Sequence, residues 1–330
     1  MDLSTKYAGI PLAHPLLPGA SPLVDKLDNI RQLEDCGAPG IVLHSLFEEQ
    51  IVGEQTGPYS IREPHEEAFA EARTYLPASE DFILSPEDYL EHIRRCKEAT
   101  DLPLFASLNG SRSGDWLHYA KEIEQAGADA LELNLYFLPS DISESAEDIE
   151  KITLEVIQEV RSLTKFPIIV KLSPFFSSLP HFANEMVAAG ASGLLLFNRF
   201  YYPDIDLENL EVEPKLELSR SSELLLRLRW TAMLHGRVKT SFGITGGVHT
   251  PEDIVKSVMV GADAVQTVSC LLKNGIPAFR SLLVGFQQWM EENEYESVRQ
   301  MKGSFSHHNC PNPSALERTN YLRTLQLWKA

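Results

Sequence analysis

The sequence is poor in cysteine and in positive charge. Four cysteines (Cys36, Cys96, Cys270 and Cys310) are spread over 330 residues. No two have CxxC spacing, so neither a zinc site nor an iron–sulfur cluster of its own can be read from them. Lysine and arginine number 29 against 47 aspartates and glutamates, a net charge of −18. That balance excludes non-specific nucleic-acid binding, which needs cations to neutralise phosphates, and it opposes docking on an anionic membrane. A small anionic ligand stays open, because backbone N–H groups can make a local positive field inside an acidic protein. Also missing are an uncharged apolar run of about 18 residues, a basic-then-apolar leader at Met1–Lys6, and any linker rich in Ser, Gly and Pro. The expectation is one soluble domain over residues 1–330 in the reducing cytoplasm, with the 43% hydrophobic and 23% charged composition of an ordinary globular enzyme.

What the sequence does have is a small internal repeat. A Gly-Ala pair followed by a short apolar run occurs at Gly37-Ala38, Gly127-Ala128, Gly190-Ala191 and Gly261-Ala262. Each pair follows a helix-like stretch: Lys26–Cys36, Trp116–Ala126, Leu179–Ala189 and Pro251–Val260. Glycine there supplies a left-handed helix cap, and the run after it reads as a strand: Gly40–His44, Ala130–Asn134, Gly193–Asn198 and Ala264–Val268. Further apolar runs at Pro15–Leu17, Pro103–Leu108, Pro167–Leu172 and Val238–Gly243 bring the count to eight. Strands alternating with helices mean a parallel sheet covered by helices. An open doubly wound sheet is the rival, but the two-unit periodicity favours an α/β fold of the (β/α)8 TIM-barrel type. The first repeat interval is the longest, which predicts an insertion after strand two at about 46–86, either a surface elaboration or a substrate loop. A C-terminal tail is expected at about 303–330. Its His307, His308 and Cys310 have no second ligand group nearby, so they read as a turn and no metal is predicted.

Barrels of this kind do their chemistry at the C-terminal ends of the strands. Polar residues at those ends are Ser21, His44, Asn109, Asn134, Lys171, Asn198, Thr245 and Ser269, one per strand. Lys171 lies inside the apolar run Pro167–Leu172, where strand alternation sets it opposite Val170 and Leu172 and aims it into the barrel mouth. There it can hold an anion or a polarised oxygen such as a flavin's N1–C2=O2 edge. It can equally pair with Glu132, which parity puts on the inward face of strand four. Thr245-Gly246-Gly247 after strand seven and Val268-Ser269-Cys270 after strand eight stand where this fold holds phosphate.

These residues together resemble the dihydroorotate dehydrogenase family over nearly the whole chain. The likeness lies in His14-Pro15-Leu16-Leu17 with Ala20-Ser21, Glu132-Leu133-Asn134-Leu135, Val170-Lys171-Leu172-Ser173-Pro174, Asn198, Leu218-Ser219, Thr245-Gly246-Gly247-Val248 and Val268-Ser269. The resemblance implies FMN across the barrel mouth. Ala20, Ser21, His44, Asn109, Asn134 and Lys171 would line its ring and ribityl parts, and Ser219, Gly246, Gly247, Val268 and Ser269 its phosphate. It also implies a small-molecule substrate, hydride transfer to flavin N5, a place in pyrimidine biosynthesis and a homodimer.

The pattern breaks on the substrate side. The family's Asn-x-Ser-Cys-Pro-Asn motif carries the base that deprotonates dihydroorotate; here it reads Asn134-Leu135-Tyr136-Phe137-Leu138-Pro139, so Phe137 stands at the base position. A phenyl ring accepts no proton. His44 replaces the family's lysine at the end of strand two, Arg199 replaces the serine after Asn198, and Thr74–Ser85 has no counterpart of the family's substrate loop. Asn134, Asn198 and Arg199 are the candidate substrate contacts; Ser140, Tyr136, Tyr201 and His249 are the candidate replacement bases. Four readings follow: an FMN oxidoreductase on a small substrate other than, or poorly related to, dihydroorotate; a flavin-binding paralogue without turnover that regulates or docks; a flavin-free barrel enzyme on a phosphorylated metabolite; and dihydroorotate dehydrogenase activity itself.

Overall fold

The computed structural model describes residues 1–56, 85–199, 201–213 and 215–327. Eight parallel strands form one sheet: β1 (Leu16–Pro18), β2 (Ile41–Phe47), β3 (Leu104–Gly110), β4 (Ala130–Leu135), β5 (Ile168–Leu172), β6 (Gly193–Leu196), β7 (Ser241–Thr245) and β8 (Ala264–Thr267). They hydrogen-bond in the order β1–β8–β7–β6–β5–β4–β3–β2, and the two end strands, β1 and β2, lie against each other. The sheet is therefore curled into a (β/α)8 barrel rather than left open.

Each strand buries both faces, and alternation sorts its side chains into two apolar clusters. Leu17, Val42, Phe105, Ala130, Ile169, Leu195 and Ala264 fill the barrel. Leu16, Leu43, Leu104, Leu131, Val170 and Leu194 face outward into the helix layer. That layer contains α1 (Leu27–Asp35), α2 (Glu48–Thr56), α3 (Pro86–Ala99), α4 (Tyr119–Ala126), α5 (Ala146–Leu163), α6 (Leu179–Ala189), α7 (Leu224–Leu234), α8 (Pro251–Val260), α9 (Ser269–Asn274) and α10 (Ala278–Glu292).

Local chemistry fixes where these helices start and stop. Ser85 with Asp88, Ser145 with Asp148, and Thr250 with Asp253 form reciprocal capping boxes on α3, α5 and α8, each N-cap contributing about 1 kcal/mol. The four repeat glycines end their helices with φ of +96° at Gly37, +108° at Gly127, +124° at Gly190 and +118° at Gly261. Only a residue without Cβ takes that conformation freely, so the repeat is a set of helix stops.

Several boundaries differ from the sequence expectation. β2 runs past His44 to Phe47 and carries a bulge, its register jumping from Val42↔Phe105 to Ser45↔Ser107. β7 starts at Ser241 rather than Val238, whose backbone instead bridges to His235. The expected insertion opens with α2, and its residues 57–84 lie outside the described residues. The expected tail is docked at its start: Gly303, Phe305 and His307 donate backbone N–H bonds to Val258, Met259 and Ala232 of α8 and α7.

Two hairpins were not foreseen. Thr5–Tyr7 pairs with Ile10–Leu12, and Tyr7 and Leu12 join the inner cluster at the N-terminal end of the barrel. Asp204–Asp206 pairs with Glu211–Glu213 in the loop after β6. A cavity of about 570 Å³ lies at the N-terminal end, lined by Thr5, Lys6, Asp263, Arg299 and Lys302. It is at the opposite end from the strand termini that carry chemistry in this fold.

His14 ties the start of β1 to the first repeat glycine, its Nε2 lying 2.7 Å from the Gly37 carbonyl. Nε2 must therefore carry the proton, and Nδ1 is buried with no partner among the described residues. Burial holds the ring below its ordinary pKa of 6.5. A lowered folded value means that the contribution of neutral His14 is complete above pH 6.5 and is lost as the pH falls through 6.5 towards the folded value. We predict that thermal unfolding midpoints of the parent drop faster than those of His14→Gln over this window. Parallel pH profiles would contradict the assignment.

Candidate active site

The ladders place the sequence-predicted residues of β3, β4 and β5 in a single row. Asn109 is in register with Asn134, and Asn134 with Lys171, so their side chains share the inward face at the C-terminal rim. All three are buried. Lys171 Nζ donates to Glu132 Oε1 at 3.0 Å, and Gln266 Nε2 of β8 donates to Glu132 Oε2 at 2.7 Å. Both oxygens of a carboxylate that is 1% exposed are thus satisfied. From the loop after β6, Asn198 Nδ2 donates to Asn134 Oδ1 at 2.9 Å.

His44 does not join this row. The bulge inserts one residue into β2, so Ser45 rather than His44 lines up with Ser107, their hydroxyls 2.8 Å apart. His44 Nδ1 instead meets Asp25 Oδ1 at 2.5 Å, and its ring lies edge-on to Tyr89. On the β1 side, Ser21 is buried at the start of the 3-10 turn Pro22–Asp25. Ala20 packs against the inner cluster. Gly19 donates to the Thr267 carbonyl at 3.0 Å, and a Cβ at Gly19 would come within 2.7 Å of Val268 Cγ2.

A second cluster forms where β7 and β8 end. The backbone N–H of Ser219 donates to Ser269 Oγ at 3.0 Å, Gly247 N–H donates to Ser219 Oγ at 3.3 Å, and His249 Nε2 lies 3.2 Å from the same hydroxyl. Gly246 and Gly247 both have φ of +88°, and a Cβ on Gly247 would sit 2.5 Å from the Leu224 nitrogen. Two residues hidden from sequence reading hold this turn. Asp253 Oδ2 accepts from Ser221 Oγ at 2.7 Å and from His249 N and Thr250 N at 3.0 Å each. Arg227, buried beneath the turn, donates from Nε to the Thr245 carbonyl at 3.0 Å and from Nη1 to the Glu223 carbonyl at 2.8 Å. Burial lowers its pKa from the ordinary arginine value, the Glu223 charge opposing this. The only sequence signal for either was the capping-box spacing Thr250–Asp253.

The candidate bases are scattered. The Arg112 guanidinium lies 4.9 Å over the Phe137 ring and is ion-paired with Glu144. Ser140 is exposed, and the Tyr136 N–H donates to the Gly110 carbonyl at 3.3 Å. Arg199 pairs with Glu223 at 3.5 Å, donates to the Glu217 carbonyl and lies 5.5 Å over the Tyr201 ring. It therefore belongs to the loop after β6 and is not hydrogen-bonded to the Asn134–Asn198 pair. His249 belongs to the β7–β8 cluster.

With this geometry in place, comparison with known proteins gives a consistent answer. The sequence profile of the dihydroorotate dehydrogenase family matches residues 85–290, more than half of the chain and all of β3 to β8. The chain belongs to the dihydroorotate dehydrogenase family. Its relatives include the catalytic subunit of a dihydroorotate dehydrogenase B (NAD(+)) from Thermoplasma volcanium, 25% identical over 92% of this chain and 98% of the relative. The NAD-dependent dihydropyrimidine dehydrogenase subunit PreA of Escherichia coli is 22% identical over 94% of this chain and 78% of its own. Family membership makes the barrel that of an oxidoreductase family. No helix among the described residues is long and apolar enough to cross a membrane.

The buried ion pair gives a direct prediction. Lys171→Met leaves the Glu132 carboxylate without its counter-charge in a dry site, and removing one partner of such a pair costs about 3–5 kcal/mol. Denaturant unfolding of Lys171→Met should show a loss of that size. A loss below about 1 kcal/mol, the range of an exposed pair, would contradict the burial of the pair.

Proposed function

We propose that this chain is an FMN-dependent oxidoreductase that transfers hydride between a small substrate and flavin N5, and that dihydroorotate, which must also give up a proton at the position Phe137 fills, is not its substrate. The observation carrying this reading is that one rim holds two complementary halves. Around the β7–β8 ends stand two serine hydroxyls, a histidine, a Gly-Gly turn of positive φ and, behind it, the buried Arg227. This donor set suits a phosphate dianion, and of the nearby carboxylates Asp253 Oδ2 already takes three donors and Glu223 is paired with Arg199. Across the rim the Asn109–Asn134–Lys171 row suits the polar edge of a flavin ring.

The flavin, when bound, supplies the hydride acceptor. The residues of this chain would do the rest. Ser219, Gly246, Gly247, Val268 and Ser269 would hold the phosphate, Ala20 and Ser21 would border the ring, and Lys171 would place positive charge at its N1–C2=O2 edge. The Asn134–Asn198 pair would present amide groups to the substrate. Phe137, under Arg112, offers no lone pair for a substrate proton. This arrangement also favours a second reading, a flavin-binding paralogue without turnover that works by regulation or docking. A homodimer and a cytoplasmic location accompany both readings. Support for the dimer is the exposed apolar side chains Ile205, Leu207, Leu210 and Val212 on the hairpin after β6.

Two measurements test the proposal. FMN should bind the parent, as shown by its visible absorbance band after gel filtration. Gly247→Val, whose side chain has no room beside Leu224, should weaken FMN affinity by at least about 10-fold, or 1.4 kcal/mol. Equal affinity in the two proteins would remove the phosphate assignment. Anaerobic mixing of the FMN-loaded parent with dihydroorotate should leave the band intact, while a reductant from a panel of other small metabolites should bleach it. Bleaching by dihydroorotate would overturn the Phe137 argument, and a panel without any reductant would favour the paralogue.

A further inference from the structure

Glu132 belongs to no step described so far, yet it is the most deeply buried carboxylate of the barrel interior, 1% exposed. Its ladder partners are Ser107 and Ile169, one pleat before the end of β4, so it lies two residues below Asn134 on the same inward face. One oxygen takes the Lys171 ammonium at 3.0 Å and the other takes the Gln266 amide at 2.7 Å. The amide's orientation is dictated: a carboxylate only accepts, so Nε2 must face Glu132. That leaves Gln266 Oε1 buried without a partner among the described residues, where a Cβ on Gly19 would come within 3.0 Å of it. Below the carboxylate, Tyr7 closes the barrel. Its hydroxyl is held well above the ordinary pKa, first by burial and then by the charges of Glu132 and Asp263, so no second acid competes for the site.

As packing, this arrangement has nothing to recommend it, since an apolar pair of similar volume serves a core as well or better. Its physical content is charge and position. From the reading of FMN at this rim, on which the inference rests, we infer that Glu132 is a positioning residue for Lys171. Clamped by Gln266, it fixes where the ammonium stands and offsets part of its positive charge, and so holds down the reduction potential of the flavin. The sign follows from electrostatics in a low-dielectric site. Two-electron reduction adds negative charge to the flavin's N1–C2=O2 edge. A nearby cation favours the reduced form, and a carboxylate on the cation's other side weakens that effect.

The test is spectroelectrochemical titration of bound FMN in the whole protein. Glu132→Gln should shift the midpoint potential upwards and Lys171→Gln should shift it downwards. In the Lys171→Gln background, adding Glu132→Gln should change little, because a buried carboxylate that has lost its ammonium takes up a proton and has no charge left to remove; a merely structural role predicts no such dependence. Glu132→Asp keeps the charge but, being shorter, cannot reach both partners as before, so it should give a smaller upward shift. It also serves as the test if Glu132→Gln fails to fold. Unchanged potentials in Glu132→Gln or Glu132→Asp would overturn the inference and leave the cofactor reading standing. A parent that takes up no FMN would remove both.

Discussion

The Glu132 carboxylate sits in the dry interior of the barrel, where an uncompensated charge is several kcal/mol unfavourable. Its burial is tolerable only because β5 brings an ammonium to one oxygen and β8 brings an amide to the other. Three strands are thereby held in mutual register from inside, in addition to their backbone ladders. The same contact fixes Lys171, and the ladder that fixes Lys171 also fixes Asn134 and Asn109. A large part of the rim chemistry therefore depends on one buried ion pair.

The rim itself is divided. Its β7–β8 half is a hydrogen-bonded turn held by connections running back into the helix layer: Asp253 collects three donors, and Arg227 braces the carbonyls of Thr245 and Glu223. Beyond β3 and β4, Arg112 lies over Phe137 and pairs with Glu144. The proposed phosphate cradle and a loop altered from the family pattern at Phe137 can coexist because the first stands after β7 and β8 and the second after β4. Loops after strands vary without disturbing the barrel beneath.

Much of the fold could be read in the sequence because two of its rules are local. A helix stop that needs positive φ leaves a glycine, and all four repeat glycines have it. Strand parity aims Lys171 and Glu132 at the same interior, and they meet there. What was not readable came from non-local contacts or from interruptions of parity. The bulge in β2 leaves no mark in the alternation, so parity does not show that Ser45 takes the register position beside Ser107 and that His44 meets Asp25 of the turn after β1. Val238 looked like the start of a strand, yet the strand begins at Ser241 once the chain has turned after α7. The N-terminal hairpin is too short to have a periodicity, and Tyr7 shows its role only when the barrel closes on it. His249, read as a candidate base, turns out to lie against Ser219, thirty positions away in the chain.

The central claim is that one rim holds the phosphate at β7–β8 and the flavin ring at β3–β5. A crystal structure of the protein grown with FMN tests it most directly. The account predicts density for a phosphate among Ser219, Gly247 and Ser269 and for a ring whose edge meets Lys171. FMN bound elsewhere, for instance in the cavity at the N-terminal end beside Lys6 and Arg299, or a rim that stays empty at saturating FMN, would contradict it.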